Sequence, residues 1–121
     1  MFSKANNLGS VDVSSFDTSN SKNMDYMFQF CNSLTTLDIS SFDTSNLTST
    51  DRMFYGSTQL QTIYASDKFV TSNVTSSSMM FGVCTSLVGG EGTAYSISHV
   101  DKSYAHIDGG TTNPGYFTRK N

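Results

Sequence analysis

Apolar residues recur along this chain in fixed columns. Met1-Phe2, Met27-Phe28, Met53-Phe54 and Met80-Phe81 are separated by 26, 26 and 27 residues, and Leu8, Leu34, Leu60 and Leu87 keep the same intervals. Phe16, Phe42 and Phe69 follow in step, as do the polar Asn20, Asn46 and Asn73. Self-similarity at a fixed period of 20 to 50 residues marks a repeat array, in which each unit leaves one apolar side bare and neighbouring units must stack to cover it. The units run over about 1–26, 27–52 and 53–79, with a partial unit at 80–88.

Within a unit, Leu34-Thr-Thr-Leu37-Asp-Ile39 reads as the L-x-x-L-x-L strand of a leucine-rich repeat, with counterparts at Leu8, Val11, Val13 and at Leu60, Ile63, Ala65. After the Asp-Thr-Ser-Asn turn, Leu47, Thr50, Met53 and Phe54 fall at helical spacing, and Thr48 with Asp51 fits a capping box. The pattern predicts an α/β, leucine-rich-repeat-like right-handed solenoid of about three strand, turn and short-helix coils. It fails after Leu87, where Gly89-Gly90-Glu91-Gly92 replaces the expected strand, so residues 89–121 are expected to cap the array. The third unit carries one extra residue between Ile63 and Phe69, which predicts an irregular coil there.

Composition narrows the function. Only 36% of the residues are hydrophobic and the net charge is -3, so there is no basic face to neutralise phosphates. Nucleic acid and anionic membrane surfaces are disfavoured as partners. No stretch of about 18 apolar residues suggests membrane insertion, and the N-terminus lacks the sections of a signal peptide. Met1 occupies a repeat position, so the chain reads as a piece of something longer.

Candidate chemistry is sparse. Outward strand positions place Ser10, Asp12, Ser14, then Thr36, Asp38, Ser40, then Thr62, Tyr64, Ser66 in one ribbon on a concave face, the surface through which repeat arrays commonly bind partners. Asp12 and Asp38 would sit as neighbours, too few carboxylates for a calcium site. Cys31 and Cys84 share a column two coils apart, roughly 10 Å at a strand spacing of about 4.8 Å, which predicts two free, buried thiols. His99-Val-Asp101 and His106-Ile-Asp108 carry metal-ligand chemistry, but their spacing does not converge three or four ligands, and cap hydrogen bonding explains them better. No Gly-x-Ser-x-Gly elbow accompanies the many serines, so neither an enzyme nor a cofactor is expected. Asn46-Leu-Thr48 and Asn73-Val-Thr75 fit a glycosylation acceptor, yet both are repeat columns.

The segment LTTLDISSFDTSNLTSTDRMF at 34–54 resembles the 26-residue repeat of BspA-like bacterial surface proteins, also known as the mycoplasma lipoprotein-associated repeat. The likeness covers residues 1–88, and the tail from Leu87 to Phe117 is similar to the segment that closes such arrays. Val70, where Asp17 and Asp43 stand in other units, and Ala65, where Val13 and Ile39 stand, depart from the pattern. The resemblance implies a secreted or wall-attached bacterial location, adhesion, and binding of a host or cell-surface protein or glycan. It brings no catalytic residues.

The rival reading is a structural stalk that displays other domains and binds nothing. Tyr26, Tyr55 and Tyr64 separate the two, since a binder needs an exposed aromatic or apolar patch and a stalk needs uniform polarity. An uncovered first coil would leave Leu8, Val11, Val13 and Phe16 beneath an open face and invite self-association.

Overall fold

The computed structural model describes residues 9–120. Three short strands, β1 (Thr36–Asp38), β2 (Thr62–Ala65) and β3 (Phe117–Arg119), form one parallel sheet in the order β1-β2-β3. Register follows the repeat: Leu37 lies beside Ile63, and Ile63 beside Phe117. Two single 3-10 turns, Lys102–Tyr104 and Gly110–Thr112, are the only helical elements among the described residues.

The α/β solenoid of strand, turn and short-helix coils predicted above is therefore incorrect. Among the described residues there is no α-helix, the sheet is small and open, and most of the chain is turn and loop. Val11–Val13 form no strand either. The physical reason lies in where the backbone hydrogen bonds go. Met24, Tyr26, Phe28 and Phe30 donate their N–H groups to the carbonyls of Ser49, Asp51, Met53 and Tyr55 in the next unit. Thr50, Arg52, Phe54 and Gly56 donate to Ser76, Ser78, Met80 and Gly82 in the same way. An α-helix would turn those N–H groups onto carbonyls four residues back. Here successive tight turns break the helical run, because Tyr26, Phe30, Arg52, Gly56, Met79 and Val83 all take left-handed backbone, with φ between 53° and 75°. The capping box is absent as well: the Thr48 hydroxyl donates to the Lys22 carbonyl, and Asp51 accepts from Ser76 and Ser78.

Stacking gathers the apolar columns into one core. The rings of Phe28, Phe54 and Phe81 stack with centroids 5.8 and 5.3 Å apart, nearly parallel. Phe117 meets Phe54, Phe69 and Phe81 edge-on, and Tyr116 does the same to Phe81. Leu34, Leu60 and Leu87 are buried beside them.

Polar columns join the units too. Thr18 and Thr44, both buried, each exchange hydrogen bonds with the backbone one unit on, at Asp43 and Val70. Asn46 and Asn73 donate their amides to the carbonyls of Ser19 and Ser45 one unit back. Asp25 accepts from Ser49 and Asp51, as Asp51 does from Ser76 and Ser78. A chain this poor in apolar residues thus gains inter-unit contacts from Thr, Asn and Asp that an ordinary globule would leave to solvent.

Cys31 and Cys84 form no disulfide bond and are buried, as the column spacing predicts. Ser57 stands between them in the column: its hydroxyl donates to the Phe28 carbonyl and accepts from the Cys31 N–H. The Cys84 thiol donates to the Phe54 carbonyl in the same pattern, and burial pushes it up to about 12. At the N-terminal side, Val13 is buried while Val11 and Phe16 are half-buried; Leu8 and residues 1–7, on which the self-association expectation partly rests, lie outside the described residues.

Leu37 on β1 is 1% exposed and Asp38 faces outward. Leu37→Ala should cost roughly 2–5 kcal/mol in chemical denaturation through the cavity it opens, whereas Asp38→Ala, which removes an exposed ion pair and a turn contact, should cost under about 1 kcal/mol. Equal losses would contradict the assignment of the sheet's two faces.

Candidate functional site

Three surfaces are candidates among the described residues, and the sheet's outer face is the one the sequence singles out. Parallel register sets Thr36 beside Thr62 and Asp38 beside Tyr64, so four of the nine expected residues share neighbouring strands. Ser40 and Ser66 follow in half-buried turns, where the Ser40 N–H donates to Asp38 and the Ser66 hydroxyl accepts from the Lys68 N–H. Ser10, Asp12 and Ser14 are exposed and precede β1 outside any strand. The Ser14 hydroxyl and N–H lower the Asp12 carboxyl below its ordinary value, against the charge of Asp38.

The sequence missed Lys120. Its ammonium sits 3.2 Å from the Asp38 carboxylate and 4.8 Å over the Tyr64 ring, and so occupies one of the two carboxylates and the only aromatic of the expected ribbon. Burial raises the Asp38 carboxyl, but Ser40 and Lys120 outweigh it and hold the carboxyl below its usual range. Lys120 lies beyond the point where the period fails, so no column could point to it.

A second surface runs along the edge of the units where a helix was expected. Tyr26 and Val83 are 44% and 41% exposed there, and Phe30, Arg52, Tyr55 and Met79 complete the row. The Arg52 guanidinium lies 5.4 Å over the Tyr55 ring, and Phe30 meets Tyr55 edge-on at 5.5 Å. Glycines of the following unit make room for these rings: a Cβ on Gly56 would stand 2.3 Å from the Phe30 ring, and one on Gly82 would stand 2.6 Å from the Tyr55 ring. Tyr26, Asp51, Arg52 and Ser78 line a hollow of about 150 Å³ in the row. Of the three tyrosines that discriminate binder from stalk, Tyr26 and Tyr55 thus flank Arg52 on one row, while Tyr64 lies apart under Lys120.

The third surface is an open cleft of about 620 Å³ between the turn after β2, the Gly90-Glu91 turn, the 106–113 segment and β3. Its architecture depends on Asp108, a buried carboxylate that accepts hydrogen bonds from the N–H groups of Glu91, Thr93, Gly110 and Gly115 and from the Thr93 hydroxyl. Burial pushes this carboxyl up, yet the Thr93 hydroxyl and the backbone donors prevail and leave it at about 2. Gly89 and Gly115 pack closely here, since a Cβ on Gly89 would meet the Gly115 carbonyl at 2.2 Å.

The other residues with metal-ligand chemistry are dispersed. His99 stacks on Tyr104 at 4.2 Å, and Asp101 accepts from the Ser103 N–H. No group of three or more His, Cys, Asp or Glu that could hold a metal ion occurs among the described residues, nor does a helix long and apolar enough to cross a membrane.

The folded carboxyl of Asp108 lies below its ordinary value, so its contribution to stability is present above about pH 4 and is lost as pH falls toward 2. Asp108→Asn should lower stability at pH 7 and flatten the dependence of the melting temperature on pH between 4 and 2. An unchanged slope would show that the carboxylate is not the joint of this segment.

No curated protein and no solved structure matches the chain. The family described as Mycoplasma protein of unknown function, DUF285, matches residues 1–104, and the chain belongs to that family.

Proposed function

We propose that the chain is a non-catalytic adhesion module of the BspA-like surface-protein type, which holds a protein partner against the lateral row of Tyr26, Phe30, Arg52, Tyr55, Met79 and Val83. On this reading it works outside the cell, and the segment after Gly89 closes the array as a cap.

One observation carries the reading. Five non-glycine residues, Tyr26, Phe30, Arg52, Met79 and Val83, occupy left-handed backbone in matching columns of successive units. Left-handed backbone costs an L-residue about 1–2 kcal/mol, and glycine fits there without that strain. Only Gly56 uses that option within these columns. Large side chains retained at strained positions, with Tyr26, Arg52 and Val83 exposed and Phe30 and Met79 half-buried, point to a use other than stability. Their chemistry agrees, because aromatic side chains and Arg are the groups that dominate protein interfaces. The sheet face serves recognition less well, since Lys120 already covers Tyr64 and neutralises Asp38.

A stalk predicts a different outcome for the same substitutions. Tyr26→Gly combined with Val83→Gly should leave stability within about 1 kcal/mol of the parent, relief of backbone strain offsetting lost contacts. Against a panel of immobilised extracellular-matrix proteins in biolayer interferometry, the parent chain should bind at least one member and the double variant should lose affinity tenfold or more. No binding to any member, or binding that survives the double substitution, would favour the stalk.

A further inference from the structure

We propose that the cleft beside β3 is a binding site for a neutral sugar unit, separate from the lateral row. Its volume of about 620 Å³ falls within the roughly 300–1,000 Å³ of small-molecule sites. Its walls come from four stretches distant in sequence, which bring Asp67, Glu91, Asn113, Thr118 and Arg119 around one opening.

The donor set selects the ligand class. Carboxylates accept, a guanidinium donates, and an amide and a hydroxyl do both, so paired sugar hydroxyls, each a donor and an acceptor, find complementary partners on every side. Charge excludes the anionic alternatives. Arg119 is tied to Asp67 by two contacts of 3.1 Å, and Glu91 adds a second negative charge, so no free cation awaits a phosphate or a carboxylate. Phe69 and Ile107 supply some apolar lining for the C–H face of a ring, but Phe69 is only 5% exposed and offers too little for a lipid tail.

The cleft is also built in advance of any ligand. Asp108 fixes the Glu91 and Thr93 backbone on one side and that of Gly110 and Gly115 on the other, so both rims are held by one carboxylate. Rims ordered beforehand reduce the entropy lost on binding. His106 also contributes to the cleft wall, with its ring packed against Gly115.

The probes are the methyl glycosides of glucose, galactose, mannose, N-acetylglucosamine and N-acetylgalactosamine, with glucose 6-phosphate and sialic acid as anionic counterparts, read by saturation-transfer NMR and calorimetric titration. At least one neutral glycoside should bind saturably in the millimolar range or tighter, and the anionic sugars should bind more weakly. Glu91→Gln and Asn113→Ala, both at exposed side chains, should each lower that affinity about tenfold with an unchanged melting temperature, the loss expected for a hydrogen bond at a charged or buried partner. Tyr26→Gly with Val83→Gly should leave sugar binding intact, which separates this site from the lateral row. Absence of binding by every neutral glycoside at tens of millimolar, tighter binding of the anionic sugars, or affinity indifferent to both cleft variants would overturn the proposal.

Discussion

A backbone N–H that leaves water must find an acceptor, and in this protein every second one between residues 24 and 30, and again between 50 and 56, finds it in the next unit. Most other features of the fold depend on that choice. It requires the chain to change direction within each unit, hence the left-handed residues at the same columns. It sets successive units at a separation where Phe28, Phe54 and Phe81 can stack. It also leaves the carbonyls of Phe28 and Phe54 to be capped by the small side chains of Ser57 and Cys84, which suits the small residues standing in that column.

The polar excess of the sequence has the same origin. Thr, Asn and Asp columns bond across units at the turns, in places where a larger apolar core would otherwise have to supply cohesion. Cohesion from side chains fixed in column frees the outer positions to vary, and the lateral row shows this: Tyr26, Arg52 and Met79 share one column without sharing chemistry. The cleft depends on a different device, one buried carboxylate gathering the turns of the C-terminal segment, and only its Ser66, Asp67 and Phe69 wall belongs to the repeat.

How much of this was legible follows from those two devices. Columns that recur at 26 or 27 residues identify the core, and Leu37, Ile63, Phe54 and Leu60 are buried accordingly. That the two thiols are not bridged was legible because the column spacing alone sets their separation. The helix was misread for a physical reason: Leu47, Thr50, Met53 and Phe54 are all buried, and a run of tight turns buries side chains at the same three- and four-residue intervals as a helix. Only glycine announces left-handed backbone in a sequence, and five of those positions carry other residues. The sheet face was legible in part, since β1 and β2 follow the period, but its covering by Lys120 was not, because β3 pairs with β2 from outside the period. Asp108 was visible as half of a His-Asp pair, and its role in holding backbone donors depends on contacts that no local spacing records.

The central claim is that inter-unit hydrogen bonds replace helical ones, and scalar couplings across hydrogen bonds in isotope-labelled protein test it directly. The amide nitrogens of Phe28, Arg52 and Phe54 should couple to the carbonyl carbons of Met53, Ser78 and Met80. Couplings from those amides to carbonyls four residues earlier in the chain would contradict the account and restore the helix.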